Sequence, residues 1–227
     1  MNTHSQKVGS GTKNSRRTAS VRRQREKERH REEILDAAER VFVARGFEQA
    51  TMEGIAREAG FSTGALYNFF QSKEELCLQV LRKQAEEFIS VFNSDILRCK
   101  DPADAINHVV ELRVRHIRVH GPFLRMLHEH PTSSQLNHAA FREACGGLIE
   151  AYLRDLASLF ERAMNAGRVR KMDPTYAALA LEGILLVFSM HWDRTGTAAT
   201  GSIEQKVATV KKNYLNHIMI NPGAGRS

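Results

Sequence analysis

Thr63, Gly64, Ala65, Tyr67 and Asn68 crowd one short stretch of this chain, and Lys73 follows five residues later. Threonine and alanine methyls can meet a thymine methyl, and an asparagine amide can pair with an adenine edge. Glycine inside a helix costs about 1 kcal/mol relative to alanine, but it removes bulk and lets backbone approach a phosphate or a base. Lys73 sits at the first position of a following helix, where a cation opposes the helix dipole. Its placement there suggests an outside anion such as a phosphate. Residues of these types in this order suit contact with double-stranded DNA better than they suit a purely structural helix pair.

The elements that must hold them are short. Thr51 is a good N-cap for a helix with Met52, Ile55, Ala56 and Ala59 on its inner side, and Gly60 stops it. Ser62 caps the next helix, with Leu66, Phe69 and Phe70 facing inward. Only Gly60-Phe61-Ser62 joins them, which is the arrangement of a helix-turn-helix. Ser72 to Glu75 forms a capping box that opens a fourth helix, running to about Leu97. Upstream, Ile34, Ala37, Ala38, Val41 and Phe42 give a first helix its buried stripe. That helix starts between Glu26 and Arg31 and ends at Gly46.

Charge is unevenly distributed. Residues 1–31 carry ten Lys or Arg against two Glu, a balance of +8, and the remaining residues stand at −1. Residues 1–25 have too little apolar surface to offset ordering entropy and are expected to form a disordered basic arm for a polyanion. A solvated tail without a specific partner is the alternative reading of the same residues.

After Leu97 the pattern stays helical. Asp101-Pro102 opens a segment that Gly121-Pro122 interrupts, and a short helix from Phe123 precedes a polar break at Pro131–Ser134. A long helix beginning at Leu136 or Phe141 runs to Ala166, with Leu148, Tyr152, Leu156, Leu159, Phe160 and Ala163 as its stripe. Asp173-Pro174 opens the next, in which Leu179, Leu181, Ile184, Leu185, Leu186, Val187 and Phe188 cannot all face one neighbour, so it is buried on more than one side. Ile203–Ile220 closes the pattern after a linker at Thr195–Gly201. No strand periodicity is present, and the fold class is all-α.

The run from Ile34 to Leu76 resembles the DNA-binding domain of the TetR family of bacterial transcriptional regulators. The resemblance rests on A-x-x-x-F-x-x-x-G-F from Ala38 to Phe47, Thr51 ahead of Ile55-Ala56, and A-G-x-S from Ala59 to Ser62. It continues through G-x-L-Y-x-x-F from Gly64 to Phe70 and S-K-E-E-L from Ser72 to Leu76. The chain departs at Asn68, where the family often carries an aromatic residue or histidine, and that departure bears on half-site preference or phosphate contact. The resemblance implies DNA contacts from Thr51, Ser62, Thr63, Gly64, Ala65, Tyr67, Asn68 and Lys73. It also implies three parts: the basic tail at 1–25, a three-helix DNA-binding domain at 26–75, and an α-helical effector-binding and dimerisation domain at 76–222. Helices near 142–166 and 174–193 would then build a four-helix bundle with a second copy, through Tyr152, Leu156, Leu159, Phe160, Leu179, Ile184, Val187, Phe188 and His191. The implied activity is that of a homodimeric repressor on a palindromic operator, released by a small, largely apolar effector.

Phe88, Phe92, His116, His120, Met126, Leu127 and Phe141 are the candidate walls of the effector pocket, and they are equally suited to core. His108, His116, His120, His128, His130 and His138 fall close together, and His116 and His120 are spaced to share a metal. No carboxylate or cysteine stands at ligand spacing, so singly bonded or solvated histidines are the competing reading, and no metal or cofactor is expected. Cys77, Cys99 and Cys145 are odd in number and widely spaced, which fits a reducing cytoplasm; oxidant sensing would need a lowered thiol pKa. The chain contains no H-E-x-x-H, P-loop or dinucleotide fingerprint, so an enzyme is not expected. No signal peptide or membrane span is expected either. The remaining rival is a nucleic-acid-associated protein whose tail binds without sequence choice.

Overall fold

The computed structural model describes residues 10–129, 138–195 and 201–220, and in these the chain is helical throughout, apart from turns and an isolated backbone bridge between Val169 and Met219. Helix α1 is Ser10–Gln49, α2 Met52–Ala59, α3 Thr63–Tyr67, α4 Lys73–Val91, α5 Pro102–Glu129, α6 His138–Asn165, α7 Pro174–Arg194 and α8 Ile203–Val210. A wider π-type turn carries α4 on to Ile96, and another carries α8 on to Leu215.

The caps expected from sequence are in place. Gly46 leaves helical geometry at φ 75° and Gly60 ends α2 at φ 76°. Residues that bear a side chain avoid that region. The Gly54 amide donates to Thr51 Oγ1 at 3.0 Å and the Ala65 amide to Ser62 Oγ at 3.2 Å. At α4 the Glu75 amide donates to Ser72 Oγ, while the Glu75 carboxylate accepts from the Gln71 amide at 2.7 Å. That acceptance falls one residue earlier than in a standard capping box.

Two expectations fail at helix ends. Helical backbone reaches back to Ser10, across most of the segment read as a disordered tail; residues 1–9 lie outside the described residues. Residues 19–29 are exposed on every side, so nothing packs them. Arg, Lys, Gln and Glu are strong helix formers. Local pairs add to that propensity, as between Arg29 and Glu33 at 2.7 Å. The absence of core-forming residues said nothing about either. Secondly, α5 runs through Gly121-Pro122 without a break. Proline inside a helix costs about 3 kcal/mol, which tertiary packing offsets here: Phe123 is fully buried and Met126 nearly so. The polar break at Pro131–Ser134 lies outside the described residues, as do residues 196–200 of the linker.

Two apolar clusters organise the molecule. One gathers Ile34, Phe42, Phe47, Ile55, Leu66 and Phe70 from the first three helices with Leu76 and Val80 of α4. Phe123 and Met126 of α5 and Cys145 of α6 complete it, so the N-terminal unit shares its core with the rest of the chain. The second joins Phe88 and Phe92 to α5, α6, α7 and α8. Helix α7 is long and apolar enough to cross a membrane by length and composition alone, a test that core helices also pass; 28% of that stretch is buried. Glu182, in its middle, is paired with Arg113 inside the fold at 2.8 Å.

Candidate nucleic-acid interface and internal cavity

Helices α2 and α3 present two distinct sides. Leu66 and Phe70 are fully buried and Phe69 is half-buried, while Gly64, Tyr67 and Asn68 are exposed. Thr63 and Ala65 are partly covered. Tyr67 is 51% exposed, a large aromatic with no intramolecular use for its outer face. A Cβ placed on Gly64 would meet nothing within 4 Å, so internal packing does not demand glycine at this position. Thr51 and Ser62 have their hydroxyl oxygens accepting from cap amides.

Lys73 is placed differently from its sequence reading. Its ammonium donates to the carbonyls of Phe47 at 2.7 Å and Glu48 at 3.3 Å, and lies 4.4 Å from the centre of the Phe47 ring. It therefore caps the carbonyl end of α1, and that contact explains a cation at the start of α4 without an external anion. The segment Thr63–Asn68 contains no Lys or Arg. Positive charge lies on α2 at the exposed Arg57 and along α1, whose exposed residues 19–29 carry Arg22, Arg23, Arg25, Lys27 and Arg29.

A cavity of about 470 Å³ opens between α4, α5, α6 and α7. Phe88, His116 and Phe141 line it as expected. Phe92 does not: it is fully buried behind Phe88 and packs edge-on against Tyr152 at 4.9 Å. His120 turns away, with Nδ1 2.9 Å from a Glu39 carboxylate oxygen on α1. Met126 and Leu127 pack on the N-terminal core; on that part of α5 it is Leu124 that reaches the cavity.

Sequence reasoning missed the polar part of this wall. Gln84, Arg113 and Glu182 line the cavity, and so does Tyr152, a residue that the family resemblance assigns to an interface between copies. The Tyr152 hydroxyl donates to the Glu182 carboxylate, and burial, followed by the nearby Glu182 charge, pushes the phenol pKa well up. Arg113 pairs with the other Glu182 oxygen at 2.8 Å and lies over the Phe88 ring. Burial, then Arg113 and His120, bring the His116 pKa down to about 3, so its imidazole is neutral. The available signal was Glu182 itself: one carboxylate amid the apolar run of α7 needs a partner inside the protein.

Among the described residues no group of three or more His, Cys, Asp or Glu is placed to hold a metal ion. His116 and His120 sit ring to ring at 4.7 Å, each bonded to a different partner. His130 and the side chains of His128 and His138 lie outside what is described. Burial raises the Cys77 thiol to about 12 and raises Cys145 as well. Neither therefore has the lowered pKa that oxidant sensing would need.

The residues assigned to an interface between copies divide sharply. Tyr152, Leu156, Leu159 and Phe160 are buried within the chain's own core and are unavailable to a partner. Leu179, Val187 and His191 are exposed, and Ile184 and Phe188 are partly so. Leu186, and Tyr176 and Met190, which were not singled out from sequence, extend the exposed apolar side of α7.

Residues 34–80 match the family model described as bacterial regulatory proteins, tetR family. The chain is 39% identical over 61 residues to the uncharacterized HTH-type transcriptional regulator YfiR of Bacillus subtilis, spanning 27% of this chain and 30% of that protein. It is 23% identical over 143 residues to the fatty acid metabolism regulator protein of the same organism, covering 61% of this chain and 70% of the relative. Its fold is similar to that of FadR from Bacillus subtilis in complex with stearoyl-CoA, with a TM-score of 0.67, 19% identity and coverage of 79% and 95% of the two chains. It is similar also to AibR in complex with isovaleryl coenzyme A and operator DNA, with a TM-score of 0.64, 22% identity and coverage of 81% and 97%. A helix-turn-helix with its outer face free thus lies within the stretch that matches the tetR family model, and a helical domain whose fold is similar to that of FadR continues it.

Proposed function

We propose that the chain is a ligand-responsive repressor that binds a palindromic operator as a homodimer. The observation that carries this reading is the outer side of α3, where Gly64, Tyr67 and Asn68 are exposed and serve no packing purpose. Laid in a major groove, Asn68 would read a base edge while the capped amide ends of α2 and α3 approach phosphates. Thr51, Ser62, Thr63, Ala65 and Tyr67 frame that contact, and Lys73 supports it by holding the end of α1 in place.

The second copy would cover the stripe of Tyr176, Leu179, Leu186, Val187 and Met190 on α7. These residues recur at close to helical spacing, and a dimer gives so much exposed apolar surface a partner. The effector is a small molecule with a largely apolar body, held in the cavity between α4 and α7. The fatty-acid regulator and the two acyl-CoA complexes among the relatives support an acyl chain as that body. A route from cavity to DNA runs through His116, which lines the cavity, His120, stacked beside it, and Glu39 of α1, bonded to His120. An effector that favours a shifted α5 would shift α1 with it and change the spacing of the two recognition helices, which must match about 34–36 Å of DNA.

Footprinting on the DNA flanking the protein's own gene tests this. A discrete protected site with two half-sites is expected, lost in the Tyr67→Ala, Asn68→Ala double variant. Protection smeared along the DNA, surviving that double substitution, would instead indicate a tail-driven binder without sequence choice.

A further inference from the structure

The cavity wall holds three polar atoms with no partner among the described residues: Gln84 Nε2, Arg113 Nε and His116 Nδ1. All three residues line the cavity, and all three neighbour Phe88. Gln84 lies one helical turn before Phe88 on α4. The Arg113 guanidinium is 4.9 Å from that ring's centre, and the His116 ring is edge-on to it at 5.2 Å. Gln84 is only 3% exposed, so its amide has no recourse to bulk water. Buried polar groups are rarely left unpaired, because each costs the free energy of its lost hydration.

Their hydrogen-bonding roles are determined by chemistry. The guanidinium Nε and the Gln84 amide nitrogen can only donate. His116 Nε2 lies 3.2 Å from the Gln84 main-chain carbonyl, which can only accept, so Nε2 carries the imidazole proton. The ring is neutral, its pKa brought down to about 3 by burial and the neighbouring Arg113. His116 Nδ1 is therefore a bare acceptor. The wall offers two donors and one acceptor and no net charge, because Arg113 is already paired with Glu182.

We infer that the cavity takes an uncharged acyl compound whose buried end carries a carbonyl oxygen beside an N–H or O–H, an amide or hydroxyacyl group, and that it rejects a free carboxylate. The carbonyl would accept from Gln84 and Arg113 while the adjacent donor satisfies His116. A carboxylate would enter without a counter-charge and present no donor. This rests on the reading of the cavity as the effector site, and it specifies the polar end that the acyl body must carry.

Calorimetric titration of the purified full-length protein with decanamide, methyl decanoate and decanoate at neutral pH tests it. These probes share a chain and differ in offering acceptor and donor, acceptor alone, or a charged acceptor. Decanamide is expected to bind tightest, with methyl decanoate weaker by roughly tenfold and decanoate weaker still. Gln84→Leu should weaken decanamide by roughly tenfold, with operator binding confirming that the variant is folded. Glu182→Gln should free Arg113 and move the preference towards decanoate. Should that variant not fold, the ranking in the wild type and in Gln84→Leu decides the matter alone. Equal binding of all three probes, tightest binding of decanoate, or an unchanged decanamide affinity in Gln84→Leu overturns the inference and leaves the cavity as effector site. Binding of none of the three overturns both.

Discussion

The α2–α3 unit and the cavity between α4 and α7 both use polar residues, and they use them in opposite ways. At α3 the polar groups lie outside a closed apolar core. Tyr67 and Asn68 are exposed, and removing them leaves no buried atom unpaired. In the cavity the polar groups are part of the interior. Arg113 and Tyr152 both bond the Glu182 carboxylate, and removing any of the three leaves a neighbour short of a partner. Recognition is therefore separable from folding at one end of the molecule and entangled with it at the other.

The largest test of that contrast is Arg113→Ala. It strands the Glu182 carboxylate, whose side chain is 17% exposed. Breaking a buried pair from one side should cost about 3 kcal/mol in a urea titration. A loss near zero would mean that water already satisfies Glu182 and that the entanglement is illusory.

The next is acid. His116 has a folded pKa of about 3, below its ordinary 6.5. The unfolded chain thus binds the proton first, and the stability this group contributes falls as pH drops below the ordinary value and levels off below the folded one. Between pH 7 and pH 5 this group alone should remove about 2 kcal/mol. Comparing wild type with His116→Gln across that window isolates it; parallel curves would contradict the buried neutral imidazole.

Ser62→Ala removes the side-chain cap on the Ala65 amide. It should cost about 1 kcal/mol, a local effect that does not depend on the cavity. A much larger loss in thermal unfolding would show the recognition unit to be as entangled as the cavity.

Smallest in stability is Tyr67→Ala, because the ring is exposed. Its stability is expected within about 0.5 kcal/mol of wild type. Operator affinity in a gel shift should nonetheless fall clearly. Intact affinity would remove Tyr67 from the interface and leave Asn68 to carry the reading.

The same contrast explains what was legible in the sequence. In the recognition unit the turn, both caps and the inner set of Ile55, Leu66 and Phe70 follow from neighbours within a few residues. Lys73 is the exception there. Its position opposes the helix dipole, and only the fold shows that the end of α1 arrives 26 residues away in sequence to accept its proton donors. In the C-terminal helices the periodicity located the elements but not their neighbours. Tyr152, Leu156, Leu159 and Phe160 form a clean apolar stripe that suits a partner copy as well as it suits the chain's own core, and the core takes it. Phe92, Met126 and Leu127 have the composition of a pocket wall, yet they pack into the two cores instead.

By itself the sequence determined the all-α class, the helix-turn-helix and its capping chemistry, because each depends on short-range spacing that the backbone reads locally. Tertiary structure alone decided which side of each long helix is inside, where the cavity lies and what polar atoms it leaves unpaired. An apolar stripe specifies that a helix must be covered; it does not specify by what. Four helices must meet before Gln84, Arg113, His116, Tyr152 and Glu182 become one site.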